Sequence, residues 1–135
     1  MKLTTKTPYA ITACLYLAAV KADKLVKCSD VCEPSGLPDK YVAQLLNSLT
    51  KANVLVGVAG LYGGYKLAKP ASKITVLEII EAVEGPLANN GTVELSHMPA
   101  KAGRVMQGAM AGLVADARKR FAAITLADLQ AGKAA

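Results

Sequence analysis

The stretch from Leu37 to Ala68, LPDKYVAQLLNSLTKANVLVGVAGLYGGYKLA, constrains this 135-residue chain more than any other. From Pro38 to about Ala52, Val42, Leu45, Leu46 and Leu49 recur at the i, i+3, i+4, i+7 spacing of a 3.6-residue period, with Lys40, Gln44, Asn47 and Lys51 on the opposite side. The pattern predicts a helix with one core face and one face of cations and amides. Val54 to Val56 and Gly64 to Leu67 follow as short strand-like runs around a glycine-studded turn, which predicts a hairpin. A helix followed by such a hairpin is the centre of a winged helix-turn-helix, in which the helix enters the major groove of DNA and the hairpin lies over the adjacent backbone or minor groove. Amides pair with adenine edges, and lysines meet guanine or phosphate. The same stripe also fits a surface helix whose polar face is merely solvated.

Ahead of this unit, Thr7 is a suitable N-cap and Pro8 a suitable first helical residue, with Ala10, Cys14, Leu17 and Ala18 as the inward stripe of a first helix. Lys2, Thr5 and Lys6 precede that cap, either as phosphate contacts or as a frayed basic terminus. Ser29 is expected to cap a short helix through Asp30, Val31, Cys32 and Glu33, closed by Pro34, Ser35 and Gly36. After the hairpin, Thr75 and Glu78 form a capping box before the apolar face of Val76, Ile79, Ile80 and Val83, and Gly85-Pro86 stops that helix.

Residues 87–102 show no sustained period and are expected to be a loop. From Gly103 to Ala123 the period returns with Met106, Met110, Leu113, Ala117 and Phe121. A long helix appended to a small domain has little core of its own to face, so this stripe is assigned to dimerisation, with packing on its own chain as the alternative. Thr125 caps a last helix from Leu126 to Gln130. The expected fold is mainly α with a small β-hairpin wing: a winged helix-turn-helix over residues 1–86, the loop, and a dimerisation helix with a short terminal helix over 103–135.

Charge is consistent with phosphate contacts and fits a merely soluble protein as well. The formal net charge is +6, and residues 1–70 hold nine lysines against four acids. No apolar run approaches the roughly 18 residues of a membrane span and no signal peptide is seen, so the expected location is the cytoplasm without membrane contact. One histidine, His97, leaves no hydrolase triad and no conventional zinc site, and the glycines at 57, 60, 63 and 64 make no nucleotide-binding fingerprint. An enzyme is not expected.

Gly60 to Ala68 (GLYGGYKLA), with Tyr41, Gln44, Leu45, Leu46, Leu49, Lys51 and Ala52 before it and ITVLEIIEAVEGP after it, resembles the winged-helix transcription regulators of the Rrf-two family, IscR- and NsrR-like. The opening MKLTTK and the closing ITLADL resemble that family too. The resemblance implies a homodimeric DNA-binding regulator, most simply a repressor, on a pseudo-palindromic operator. On that reading Lys40, Tyr41, Gln44, Asn47, Ser48 and Lys51 face double-stranded DNA, and Gly63, Gly64, Tyr65 and Lys66 shape the wing. Thr7-Pro8, Ala43 and Ala59 replace a usual Gly-Arg, a frequent glutamate and a usual arginine.

Family members that hold an iron–sulfur cluster do so with three cysteines between the Glu-Gly-Pro turn and the long helix; this chain has none there, so no cofactor is expected. Its cysteines are Cys14 and Cys32, at apolar helix positions, and Cys28, whose place before a helix start suits a reactive redox thiol. Two further readings stay open: a protein–protein adaptor that kept the fold and lost DNA affinity, and a thiol-based redox regulator using Cys28. An unknown effector or partner protein completes either.

Overall fold

The computed structural model describes residues 3–88 and 95–133. Its order is α1 (Lys6–Ala19), α2 (Cys28–Ser35), α3 (Asp39–Lys51), β1 (Leu55–Val58), β2 (Gly64–Leu67), a 3-10 turn (Ala71–Lys73), α4 (Val76–Glu84), α5 (Ala100–Ala122) and α6 (Leu126–Ala131). This is the expected winged helix-turn-helix with a long C-terminal helix.

The main core is aliphatic. Ala10, Ala13, Cys14 and Leu17 of α1, Val31 and Cys32 of α2, and Val42, Leu45, Leu46 and Leu49 of α3 are buried together with Leu55, Ile74, Ile79 and Leu126. The stripe on α3 is therefore the face that docks this helix, which leaves its polar side to water.

Four helix ends differ from the expectation. α1 starts at Lys6, and Thr7 is no cap: its hydroxyl donates to Glu84 Oε2 at 2.7 Å, beside the Thr4 N–H at 2.7 Å on the same oxygen. The carboxylate at the end of α4 draws these donors in, so Thr7 is buried inside the helix. α2 starts at Cys28 rather than after Ser29, because the Lys27 N–H is satisfied by Asp30 Oδ2 at 3.0 Å. It also continues through Pro34 and Ser35, whose hydroxyl donates to Val31 O at 2.6 Å, and ends at Gly36 with φ +70°. α5 starts at Ala100, so residues 100–102 are helix and not loop. Of the remaining expected loop, 89–94 lie outside the described residues.

α3 ends in a tight left-handed cap. Asn53 has φ +63°, its N–H donates to Thr50 O at 3.0 Å, and the Val54 N–H donates to Leu49 O at 3.0 Å. These are the paired bonds of a Schellman turn, with asparagine tolerating the left-handed position. The chain is thereby sent straight from α3 into β1.

β1 and β2 pair antiparallel with Leu55 opposite Leu67 and Val58 opposite Gly64. Val26 adds a single-residue bridge to Tyr65, so the hairpin carries a third, minimal strand from the segment between α1 and α2. α4 has its capping box: the Glu78 N–H donates to Thr75 Oγ1 at 3.1 Å and the Thr75 N–H to Glu78 Oε2 at 3.2 Å.

The C-terminal segment returns to the domain. The Val76 N–H donates to Ile124 O and the Leu126 N–H to Ile74 O, both at 2.8 Å, and Leu126 is fully buried in the main core. α6 thus packs with residues 1–86 although it follows the long helix. A second cluster of Val76, Ile80 and Leu87 takes in Phe121, Ile124 and Leu129, and Arg118 forms an ion pair with Glu81. Among the described residues, no helix is long and apolar enough to cross a membrane.

Candidate nucleic-acid interface

α3 presents Lys40, Gln44, Asn47 and Lys51 to solvent on the side opposite its core stripe. Lys40 and Lys51 have no ion-pair partner among the described residues, so their charges are free to meet phosphate. Ser48 is half-buried at the edge of this face.

Tyr41 is half-buried as well. Its ring packs edge-on against Tyr9 of α1, centroids 5.4 Å apart at 85°, and its hydroxyl lies 3.5 Å from Thr5 Oγ1. An edge-to-face pair of this kind fixes orientation, and it brings the start of α1, with exposed Thr5 and Lys6, beside the first turn of α3. The sequence lists these two segments as separate candidates, and the fold makes them neighbours. Lys2 lies outside the described residues.

In the hairpin, Gly63 and Gly64 are spacing requirements. A Cβ on Gly63 would lie 1.9 Å from Val58 O, and one on Gly64 would lie 2.8 Å from Val26 O. The five-residue tip is closed by the Gly63 N–H donating to Gly60 O at 3.0 Å. Leu61 and Tyr62 stand out there, 76% and 88% exposed. Tyr65 is half-buried against the core, and its ring and the Thr50 side chain both border Gly57, which leaves β1 close to the end of α3. Lys66 is held by Asp23 at 3.4 Å in a pair whose acid is open to solvent, a geometry that contributes little and is readily exchanged for phosphate.

Two residues the sequence reading does not single out complete the geometry. Val26 fastens the hairpin through the bridge to Tyr65, and Lys27 donates from Nζ to Leu61 O at 2.8 Å. Their signal in the sequence is faint, one apolar pair, Leu25-Val26, set between lysines.

The thiols separate into two groups. Cys14 is sealed in α1, and burial pushes its thiol up to about 12. Cys28, the first residue of α2, lies with its sulfur 3.7 Å from that of Cys32 and 3.6 Å from the backbone oxygen of Asp39. Cys32 is raised to about 12 by burial first, and then by hydrogen bonds to Cys28 and Asp39.

The long helix divides its stripe. Phe121 is turned onto the second cluster, so this expected dimerisation residue packs on its own chain, and Ala117, one turn earlier, is half-buried. Met110 is half-buried, whereas Met106 and Leu113 are exposed together with Val105. The apolar surface left open therefore runs through Val105, Met106 and Leu113.

Known proteins share this architecture. An HTH-type transcriptional regulator of Mycobacterium tuberculosis strain H37Rv, Rv1287, is 28% identical over 99 residues, 73% of this chain and 62% of that protein; the chain thus spans 62% of the length of the curated relatives it matches. CymR (YrzC), the global cysteine regulator of B. subtilis, is 28% identical with a TM-score of 0.74 over 98% of both chains. IscR of T. potens is 26% identical with a TM-score of 0.73, covering 98% of this chain and 88% of that one. The Rrf2 family model, described as an iron-dependent transcriptional regulator, matches residues 3–132. With nearly its whole length accounted for in this way, the chain belongs to the Rrf2 family of transcriptional regulators.

Proposed function

We propose that this chain binds double-stranded DNA as a homodimer on a pseudo-palindromic operator and represses transcription, with α3 in the major groove and the hairpin over the adjacent backbone. The observation that carries this reading is the two-sided build of α3. Val42, Leu45, Leu46 and Leu49 are buried while Lys40, Gln44, Asn47 and Lys51 are exposed on a helix seated by Tyr9 and Tyr41. Gln44 and Asn47 offer paired donor and acceptor atoms to base edges, whereas Lys40, Lys51 and Lys66 neutralise phosphate.

The iron–sulfur cluster that the resemblance implies for cluster-bearing members of the family does not fit the donors of this chain. The segment from Gly85 to Pro99 contains no cysteine, and among the described residues no group of three or more His, Cys, Asp or Glu side chains is placed to hold a metal ion. Regulation on this reading runs through another signal.

Genomic fragments selected by the purified protein supply the operator. On it, Gln44→Ala is expected to relax preference at one or two positions at a cost of about 1–3 kcal/mol, while Lys51→Ala weakens all duplexes alike and lowers the salt dependence by about one phosphate. Equal losses on operator and random DNA for both variants would remove Gln44 as a reader. Absence of any salt-dependent duplex binding would favour a protein adaptor.

A further inference from the structure

Cys28 and Cys32 sit one turn apart on α2 with their sulfurs 3.7 Å apart. Cys32 is 4% exposed and Cys28 is half-exposed, so the pair is sealed on one side and reachable on the other. Two chemistries join sulfurs so placed. A disulfide requires a bond of about 2.05 Å and Cβ atoms within about 4.5 Å. Residues four apart on a helix keep their Cβ atoms about 5–6 Å apart, so a disulfide has to unwind the first turn of α2. Bridging by one soft atom asks for far less, since two sulfurs bonded at about 2.3 Å to one centre at an angle between about 95° and 110° lie about 3.4–3.8 Å apart, a pyramidal three-coordinate centre at the short end of that range. The observed separation matches the second case.

A divalent ion on two thiolates calls for two further ligands, and the described residues supply no such group. Trivalent arsenic on an organic substituent calls for two sulfurs only. From the geometry we infer that Cys28 and Cys32 form a dithiol site for trivalent arsenicals. The reaction is R–As=O plus two thiols giving R–As(S)2 plus water: two arsenic–sulfur bonds form, both thiol protons leave in the water, and arsenic keeps its oxidation state. The product is neutral, which suits a site whose inner sulfur is buried and whose thiol stays protonated at neutral pH.

The arsenic and its substituent lie beside the start of α3, because the Cys28 sulfur already touches the Asp39 backbone oxygen at 3.6 Å. Crowding there displaces the first turn of α3, which carries Lys40. This regulatory consequence rests on the DNA-binding reading of α3; the chemistry of the pair does not.

The test uses the full-length reduced protein and phenylarsine oxide. Native mass spectrometry is expected to show one adduct per chain, with both thiols lost to an alkylating reagent. Cys28→Ser is expected to raise the half-saturating concentration on the order of 10²–10⁴-fold, because the second bond becomes intermolecular, and Cys14→Ser leaves it unchanged. Cys32→Ser gives the same loss if circular dichroism shows it folded; the half-exposed Cys28 variant decides the matter otherwise. Equal binding by wild type and Cys28→Ser overturns the site, as does a product two hydrogens lighter with no arsenic bound. In parallel, the adduct is expected to bind operator at least tenfold more weakly. A full adduct with unaltered operator affinity overturns the coupling to α3 and leaves the dithiol site standing. Unmodified protein that binds no duplex overturns the DNA reading and not the site.

Discussion

Val26 and Tyr65 exchange both of their backbone hydrogen bonds, Val26 N–H to Tyr65 O at 2.9 Å and Tyr65 N–H to Val26 O at 2.8 Å. This one reciprocal pair fastens the hairpin to the segment between α1 and α2. A two-stranded ribbon is marginal alone in water, so the angle between the hairpin and α3 depends on a residue thirty-nine positions away in the sequence.

Gly64→Ala tests that dependence. The added Cβ would meet Val26 O at 2.8 Å, and loss of the reciprocal pair is expected to cost about 1–3 kcal/mol at roughly 0.5–1.5 per bond. Gly36→Ala meets no atom within 4 Å and carries only the strain of its φ of +70°, about 1–2 kcal/mol. Urea unfolding is expected to rank Gly64→Ala as the more damaging, with operator binding falling further for it than stability explains. The reverse ranking would mean the bridge contributes little.

Glu84 couples the start of α1 to the end of α4. Burial alone raises its carboxyl, but the Thr4 N–H and the hydroxyls of Thr7 and Thr4 outweigh it, helped by Lys6, and hold Glu84 below its ordinary value. Its stabilising contribution is therefore complete above the unfolded value of about 4.3 and is lost as pH falls through the lower folded value. Thermal melts of Glu84→Gln are expected to show a flatter fall in Tm below about pH 4.5 than wild type. Parallel curves in that range would remove this carboxylate from the acid sensitivity.

On α5, Val105 and Leu113 are 72% and 68% exposed although each is worth roughly 1.5–3 kcal/mol on burial. On the proposed homodimer reading, a two-fold mate covers this surface. Leu113→Asp is expected to give a monomer by light scattering at micromolar concentration with its thermal stability as a monomer intact. Phe121→Ala, which empties part of the cluster around Val76 and Ile80, is expected to lower stability by about 1–3 kcal/mol without dissociating the dimer. If Phe121→Ala separates the chains and Leu113→Asp does not, the seam lies on the other face.

Protein purified without oxygen is expected to be colourless and free of stoichiometric iron and sulfide, since Cys14, Cys28 and Cys32 all precede α3. A visible charge-transfer band with matching iron and sulfide, as a thiolate-ligated cluster gives, would point to ligands outside this account.

The sequence by itself determined the elements whose physics is local. The 3.6-residue period of Val42, Leu45, Leu46 and Leu49 specifies α3 and its outward face, Thr75 with Glu78 starts α4, and Gly63-Gly64 marks the hairpin, because spacing, capping and close backbone approach are each written within a few residues. What only the tertiary structure decided are the pairings between distant segments. Thr7 looks like a cap until Glu84, seventy-seven residues later, takes its hydroxyl. Val26 has no strand pattern because its partner is supplied by the hairpin. Phe121 and Leu113 share a stripe in the sequence, yet α4 covers the one and leaves the other open. The contact between Cys28 and Asp39 exists only because the turn at Gly36 folds α3 back onto the start of α2. Periodicity states that a side chain has an apolar face; which surface meets it depends on packing among elements that the local sequence does not encode.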